Sequence, residues 1–242
     1  MIRLEDLSKN FGSLQAVRQL SLHVPAGELF CFLGPNGAGK TTTIKMMTGL
    51  LRPSSGRVTI GGIDIERDPL SAKQIIGYIP DMPYLYDRLT CSEFFVFTGD
   101  LYRVPRPESE AERESSFDQF GLQEYRNVLV KDLSHGLRQR LIYAATFLHR
   151  PKVLFIDEPL IGLDPKTIRM IKELLKNKAR EGTTIFLTTH ILALAEDVAD
   201  RIGIILDGRL IADGTLEELR SGSEDESSLE DIFLALTESA DE

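Results

Sequence analysis

Residues Gly34-Pro-Asn-Gly-Ala-Gly-Lys40-Thr41 combine glycines, one lysine and one hydroxyl in the spacing G-x-x-x-x-G-K-[ST]. That combination suits a polyphosphate such as that of ATP. The loop Gly34, Pro35, Asn36, Gly37, Ala38 and Gly39 can wrap the phosphates closely. Gly34, Gly37 and Gly39 are expected to take backbone angles that side chains forbid. Backbone N–H groups then face the phosphate oxygens at the positive end of the following helix. Lys40 adds a full charge at the β and γ phosphates, the Thr41 hydroxyl can ligate Mg²⁺, and Thr42 can add a hydrogen bond nearby.

Three more places carry possible chemistry. Val153-Leu-Phe-Ile-Asp157-Glu158 is an apolar strand ending in two carboxylates. Successive side chains of a strand diverge, so Asp157 can hold Mg²⁺ while Glu158 polarises an attacking water as general base. Ser134 and Gly136 stand at a helix start and read either as a plain N-cap or as a second anion site. His190 follows a strand, where open α/β sheets bind ligands. It reads either as a contact to the γ-phosphate and Glu158 or as an ordinary structural histidine. Phe11 could stack on a base or anchor a β-subdomain. The Phe94, Phe95 and Phe97 group reads mainly as helical core.

These residues need elements to hold them. Ile2 to Leu7 and Val17 to Val24 read as strands, and Leu29–Leu33 as a strand buried on both faces. Thr41–Leu51 has helical spacing, which puts strand, glycine loop and helix in the order a phosphate loop requires. Pro53–Gly56 reads as a turn, residues 58–65 as a hairpin across Gly61-Gly62, and Gln74–Ile79 as a strand. Residues 90–150 change to helical character: Thr90 with Glu93 forms a capping box, Pro107–Phe120 is amphipathic, and Ser134 caps a helix stopping near Pro151. Strands Val153–Ile156, Thr184–Thr188 and Ile202–Leu206 then alternate with helices. Asp164-Pro165 opens one helix, Gly182 closes it, and Asp207-Gly208 turns a hairpin. Thr215 with Glu218 caps a short helix, and Ser228–Leu236 forms a final amphipathic one.

Composition narrows the class. The 242 residues carry a net charge of −9, but eight acids and no lysine or arginine fall within residues 221–242. The first 220 residues then hold 28 basic against 29 acidic side chains, so no basic field calls for nucleic acid. No apolar run reaches the ~18–20 residues of a membrane span, and the first residues show no secretory stretch. A membrane role therefore needs a partner. Cys31 and Cys91 match no metal or redox spacing and read as reduced thiols.

Taken in order, the phosphate loop, Ile76-Gly77-Tyr-Ile-Pro80-Asp81, Leu133-Ser134-x-Gly136, Val153–Glu158, Gly162-Leu-Asp164 and Thr189-His190 resemble the ATP-binding cassette (ABC) nucleotide-binding domain over residues 1 to about 220. The resemblance implies an α/β fold: a P-loop NTPase core with a mostly parallel sheet, an N-terminal antiparallel β-subdomain, and an inserted α-helical subdomain at about 88–150. It implies a Mg²⁺-dependent ATPase working as a head-to-tail dimer, homomeric or heteromeric. Each ATP then lies between one subunit's phosphate loop and the other's Ser134 and Gly136, with Asp164 crossing the interface and His190 acting as a switch. The ending Ser228–Thr237 looks like that of exporter-type subunits whose transmembrane permease is a separate chain. That implies a cytoplasmic protein held on the inner face of the membrane through its permease, beyond which residues 221–242 form an acidic tail.

The chain departs from the family pattern at Asp81, where glutamine is usual. That group meets Mg²⁺ or the lytic water and senses the membrane domain; aspartate keeps an oxygen ligand but is shorter and charged. His135, Leu137 and Ile161 are lesser departures, and Phe11 replaces a tyrosine without losing the ring. A cassette acting on DNA or ribosomes would carry a long coiled-coil insertion or a second cassette, and neither is present. A regulatory cassette that binds without hydrolysing is disfavoured by Glu158.

Overall fold

The computed structural model describes residues 1–82, 85–158, 160, 163–221 and 228–238. Six strands form the central sheet: β3 (Leu29–Leu33), β6 (Ile76–Ile79), β7 (Val153–Asp157), β8 (Thr184–Thr189), β9 (Arg201–Leu206) and β10 (Arg209–Gly214), in the order β10-β9-β3-β8-β7-β6. Its pairs are parallel except the β9–β10 hairpin. A second, antiparallel sheet has the order β2-β1-β4-β5, from β1 (Ile2–Phe11), β2 (Leu14–Val24), β4 (Ser55–Ile60) and β5 (Ile63–Asp64).

Every residue of β3, β7 and β8 is buried, as expected of parallel strands covered on both faces. Register sorts their side chains into two cores. Phe30 pairs with Phe186 and Phe186 with Phe155, so the aromatic rings share the face toward the antiparallel sheet. There Phe30, Phe32 and Phe155 lie 5.4, 5.3 and 6.0 Å from Phe186 between centroids. The intervening Leu29, Cys31, Leu33, Leu154, Ile156, Ile185 and Leu187 face the helices. Truncating the central Phe186 to alanine would cost about 3–5 kcal/mol.

The helices are α1 (Lys40–Met47), α2 (Pro69–Gln74), α3 (Cys91–Leu101), α4 (Arg106–Gln119), α5 (His135–Phe147), α6 (Pro165–Arg180), α7 (Leu192–Val198), α8 (Leu216–Ser221) and α9 (Leu229–Glu238). Helices α3 to α5 form the insertion between β6 and β7, with Phe95 and Phe117 meeting edge to face in its core. The Thr90–Glu93 capping box is present in both directions. Asp164 caps α6 by accepting from the N–H groups of Lys166 and Thr167. As an amphipathic helix requires, Leu229 and Ile232 of α9 are buried against the body, and Leu229 N donates to Glu196 on α7.

Three expectations need correction. Residues 69–74 form a helix, capped by Asp68 with Pro69 at its first position, so the strand begins at Ile76 rather than Gln74. Helix α1 ends at Met47, short of Leu51, because Gly49 takes a left-handed turn with φ of 67°. Gly34 is needed for space rather than for its angle. A Cβ there would stand 2.4 Å from the Ile205 carbonyl oxygen, and φ is not positive. Gly37 and Gly39 do take left-handed angles, 87° and 108°. Ile161, Gly162 and residues 222–227, part of the motif and tail readings, lie outside the described residues.

Candidate functional site

The site is built where β3, β7 and β8 end on the same edge of the sheet. Strand β3 runs out at Leu33, the glycine loop follows, and Lys40 opens α1. The left-handed Gly39 is the N-cap of α1, which lets the loop double back over the helix N-terminus. Lys40 is buried, 6% exposed, and its Nζ donates to the carbonyl oxygens of Gly34 at 2.7 Å and Pro35 at 3.1 Å. It also stands 3.5 Å from Glu158 Oε1.

Strand β7 delivers the two carboxylates to different surroundings. Asp157 is 2% exposed, and its Oδ1 accepts a 2.5 Å hydrogen bond from Thr188 Oγ1 on the neighbouring strand. Glu158 takes a left-handed φ of 50°, uncommon for a residue with a side chain. Its N–H still donates to Thr188 O, so the backbone turns just past the last ladder bond. That turn, beyond simple strand alternation, swings Glu158 into the cleft, where its other oxygen lies 3.0 Å from His190 Nδ1. His190 is held after β8 by Thr189, whose hydroxyl accepts from Ile191 N. Glu158 thus sits between a lysine ammonium and an imidazole.

A cleft of about 430 Å³ joins these groups. It is lined by Phe11, Asn36, Gly37, Gly39, Lys40, Thr41, Thr42, Asp81, Glu158 and His190, together with Leu14 and Ala16. Phe11, the last residue of β1, is 48% exposed and sits at the cleft mouth with Lys9 Nζ 5.2 Å from its ring centroid. Ala38 is buried beneath the loop. Burial raises the pKa of Asp81 above the ordinary carboxylate value, and the charges of Asp157 and Glu158 push the same way while His135 opposes them. Asp81 therefore shares this small volume with Glu158, while Asp157 stays buried behind it.

Ser134, Gly136 and Asp164 do not join this cleft. Ser134 is an N-cap, accepting from Leu137 N at 3.3 Å. With Gly136, Leu137, Arg140 and Asp164 it lines a second cleft of about 540 Å³. A Cβ on Gly136 would come within 3.8 Å of Asp164 Oδ2. Hydrogen bonds from Thr167, first through its hydroxyl, hold the Asp164 carboxyl below its usual range. Within one chain the expected residues therefore form two separate patches. Three side chains that support them went unassigned in the sequence: Thr188 behind Asp157, and Arg140 with Thr167 behind Asp164. For Thr188 the available signal was a threonine near the carboxyl end of the buried strand β8.

A divalent cation held here would draw on the Thr41 hydroxyl and Asp157, an oxygen set that suits Mg²⁺. Among the described residues no group of three or more His, Cys, Asp or Glu side chains forms a self-sufficient metal cage. Magnesium characteristically takes one or two protein ligands plus substrate phosphates, so the donors fit.

Comparison with known proteins agrees with this architecture. Residues 17–161 match the family described as ABC transporter. The chain is 37% identical over 221 residues to the linearmycin resistance ATP-binding protein LnrL of Bacillus subtilis, covering 91% of this chain and 71% of that protein. A solved ATP-binding subunit of an ABC transporter superposes with a TM-score of 0.92 at 32% identity, covering 98% of this chain and 99% of that one. The ATP-binding cassette MJ0796, solved as a dimer in a post-hydrolysis state with ADP and Pi, superposes with a TM-score of 0.80 at 25% identity, covering 89% and 99%.

Proposed function

Because this chain belongs to the ABC transporter family, as one of its ATP-binding and ATP-hydrolysing subunits, we propose that it energises export by a separate transmembrane chain, working as a dimer on that chain's cytoplasmic face. The observation that carries the reading is Glu158 held between Lys40 and His190 at the mouth of a glycine loop. Among the described residues no helix is long and apolar enough to cross a membrane, which fits a transmembrane path supplied by a partner. The resistance function in LnrL's name favours export of an antibiotic-like compound.

The chemistry follows from the residues present. The glycine loop binds the phosphates, Lys40 leaves its loop carbonyls and Glu158 for the more highly charged β and γ phosphates, and Phe11 stacks on the base. When bound at Thr41 and Asp157, Mg²⁺ supplies charge neutralisation of the phosphates. Released from Lys40, Glu158 accepts a proton from the attacking water, and His190 orients it from the side. Asp81, the third carboxylate, lies where it can meet that water or the cation. Ser134, Gly136 and Asp164 serve the ATP of the opposite subunit, which explains why they form their own patch.

The test is ATP hydrolysis by the purified chain with and without Mg²⁺, alongside its mass in solution with ATP. Turnover that requires Mg²⁺ and dimers that form only with ATP are expected. Co-purification with a membrane chain from the native cell, lowering resistance when either is deleted, tests the export half. Metal-independent turnover by a permanent monomer would overturn the proposal.

A further inference from the structure

Asp164 and the Ser134–Gly136 turn come from different parts of the fold. Ser134 begins α5, in the helical insertion, whereas Asp164 begins α6, which packs on the central sheet. A side-chain relay spans the gap. Arg140, one helical turn into α5, donates to Thr167 Oγ1 through Nη2 at 2.6 Å and Nε at 3.2 Å. Thr167 is fully buried and its hydroxyl donates a hydrogen bond to Asp164 Oδ2 at 2.6 Å, while its N–H donates to Asp164 Oδ1 at 3.1 Å. The Arg140 guanidinium also lies 3.8 Å from Asp164 Oδ2.

The chemistry of this relay is directional. A threonine hydroxyl has one proton and two lone pairs. Arginine can only donate, so it fills the lone pairs and leaves the proton committed to Asp164. The hydroxyl is thereby fixed in one orientation, and both Asp164 oxygens are fixed with it. Two guanidinium nitrogens converge on the one Thr167 oxygen, which ties α5 to the start of α6 at that contact. None of the three residues lines the phosphate-loop cleft.

We infer that Arg140 and Thr167 are positioning residues that lock Asp164 and the Ser134–Gly136 turn into one rigid half-site, set for the nucleotide bound by the opposing subunit. The inference rests on the dimer reading above. It assigns the relay to closure of the dimer rather than to nucleotide binding by the single subunit. Without it, the helical insertion and the sheet-borne aspartate would have to be aligned separately each time two subunits meet, and that ordering would weaken association.

The experiment uses the full chain in the Glu158→Gln background, in which ATP is expected to be held without turnover. Thr167→Val removes the hydroxyl at nearly constant volume, and Thr167→Ser restores it. Binding of trinitrophenyl-ATP by the dilute monomer and the ATP-driven monomer–dimer constant from sedimentation are measured for each. Thr167→Val should leave monomer binding within twofold of the parent and weaken dimerisation by about tenfold or more, as expected for losing hydrogen bonds to charged groups. Thr167→Ser should return the dimer constant to within about threefold of the parent. Unchanged dimerisation in Thr167→Val would overturn the inference while leaving the dimer reading intact. Equal loss of monomer binding and dimerisation would reduce the relay to a structural role and overturn it also. A parent that never dimerises with ATP would sink the dimer reading itself, and the inference with it.

Discussion

Replacing Glu158 by glutamine keeps the outline of the side chain and removes one charge. Glu158 is 11% exposed, 3.5 Å from Lys40 Nζ and 3.0 Å from His190 Nδ1. Unit charges 3.5 Å apart attract by roughly 5 kcal/mol at an effective dielectric of about 20. Desolvation of both ions opposes most of that, and Lys40 keeps two carbonyl acceptors in the mutant. Because the mutant leaves the Lys40 charge buried without its counter-ion, the free protein should lose up to about 3–5 kcal/mol, the cost of breaking a buried pair, less whatever the two carbonyl acceptors retain. With nucleotide bound the sign reverses, because the carboxylate then faces the γ-phosphate. Removing it should tighten ATP binding severalfold and accumulate the ATP-bound dimer. Turnover should fall by about 10²–10⁴, or roughly 3–5 kcal/mol of barrier, as a positioned general base is lost. Phosphate release at saturating Mg²⁺-ATP, nucleotide titration and light scattering read the three quantities separately. A mutant that turns over within tenfold of the parent would refute Glu158 as base and move suspicion to Asp81. A mutant that loses turnover and ATP binding together would refute the separation of roles between Lys40 and Glu158.

Further outcomes follow from particular contacts. Gly34→Ala should unfold at lower urea, by about 2–3 kcal/mol, because its Cβ would overlap the backbone of Ile205. Leu229→Ala should cost about 2–4 kcal/mol if the last helix is part of the folded body, since Leu229 is fully buried; an unchanged urea midpoint would show that α9 contributes nothing. Burial lowers the pKa of His149, whose ring stacks on Tyr102 at 3.6 Å and whose Nε2 meets Ile76 O. The unfolded chain takes up a proton as pH falls through about 6.5 while the folded chain resists. The stability is therefore complete above that value and declines below it, and His149→Gln should flatten the urea midpoint between pH 6.5 and 5 relative to the parent.

The motifs that sit within one stretch of chain were legible because their chemistry is local. A glycine loop after a buried strand, an Asp-Glu pair at a strand end and the caps at Thr90, Ser134 and Asp164 each depend on residues a few positions apart. Helix α2 escaped notice because only Ala72 in it is buried, so six residues offered no apolar period to read. Its signals, Asp68 before Pro69, were capping signals alone.

What the sequence determined by itself was the set of groups and the strand ends that carry them, since local spacing and apolar runs already specify both. Only the tertiary structure decided how they combine. Register between β7 and β8 put the Thr188 hydroxyl on Asp157. A left-handed residue at Glu158 turned one carboxylate into the cleft. Packing of α5 against the start of α6 brought Arg140 to Thr167, 27 positions away, and separated the Ser134 patch from the phosphate loop. Such contacts join residues distant along the chain through hydrogen bonds a few ångströms long, and no periodicity in the sequence encodes a distance of that kind.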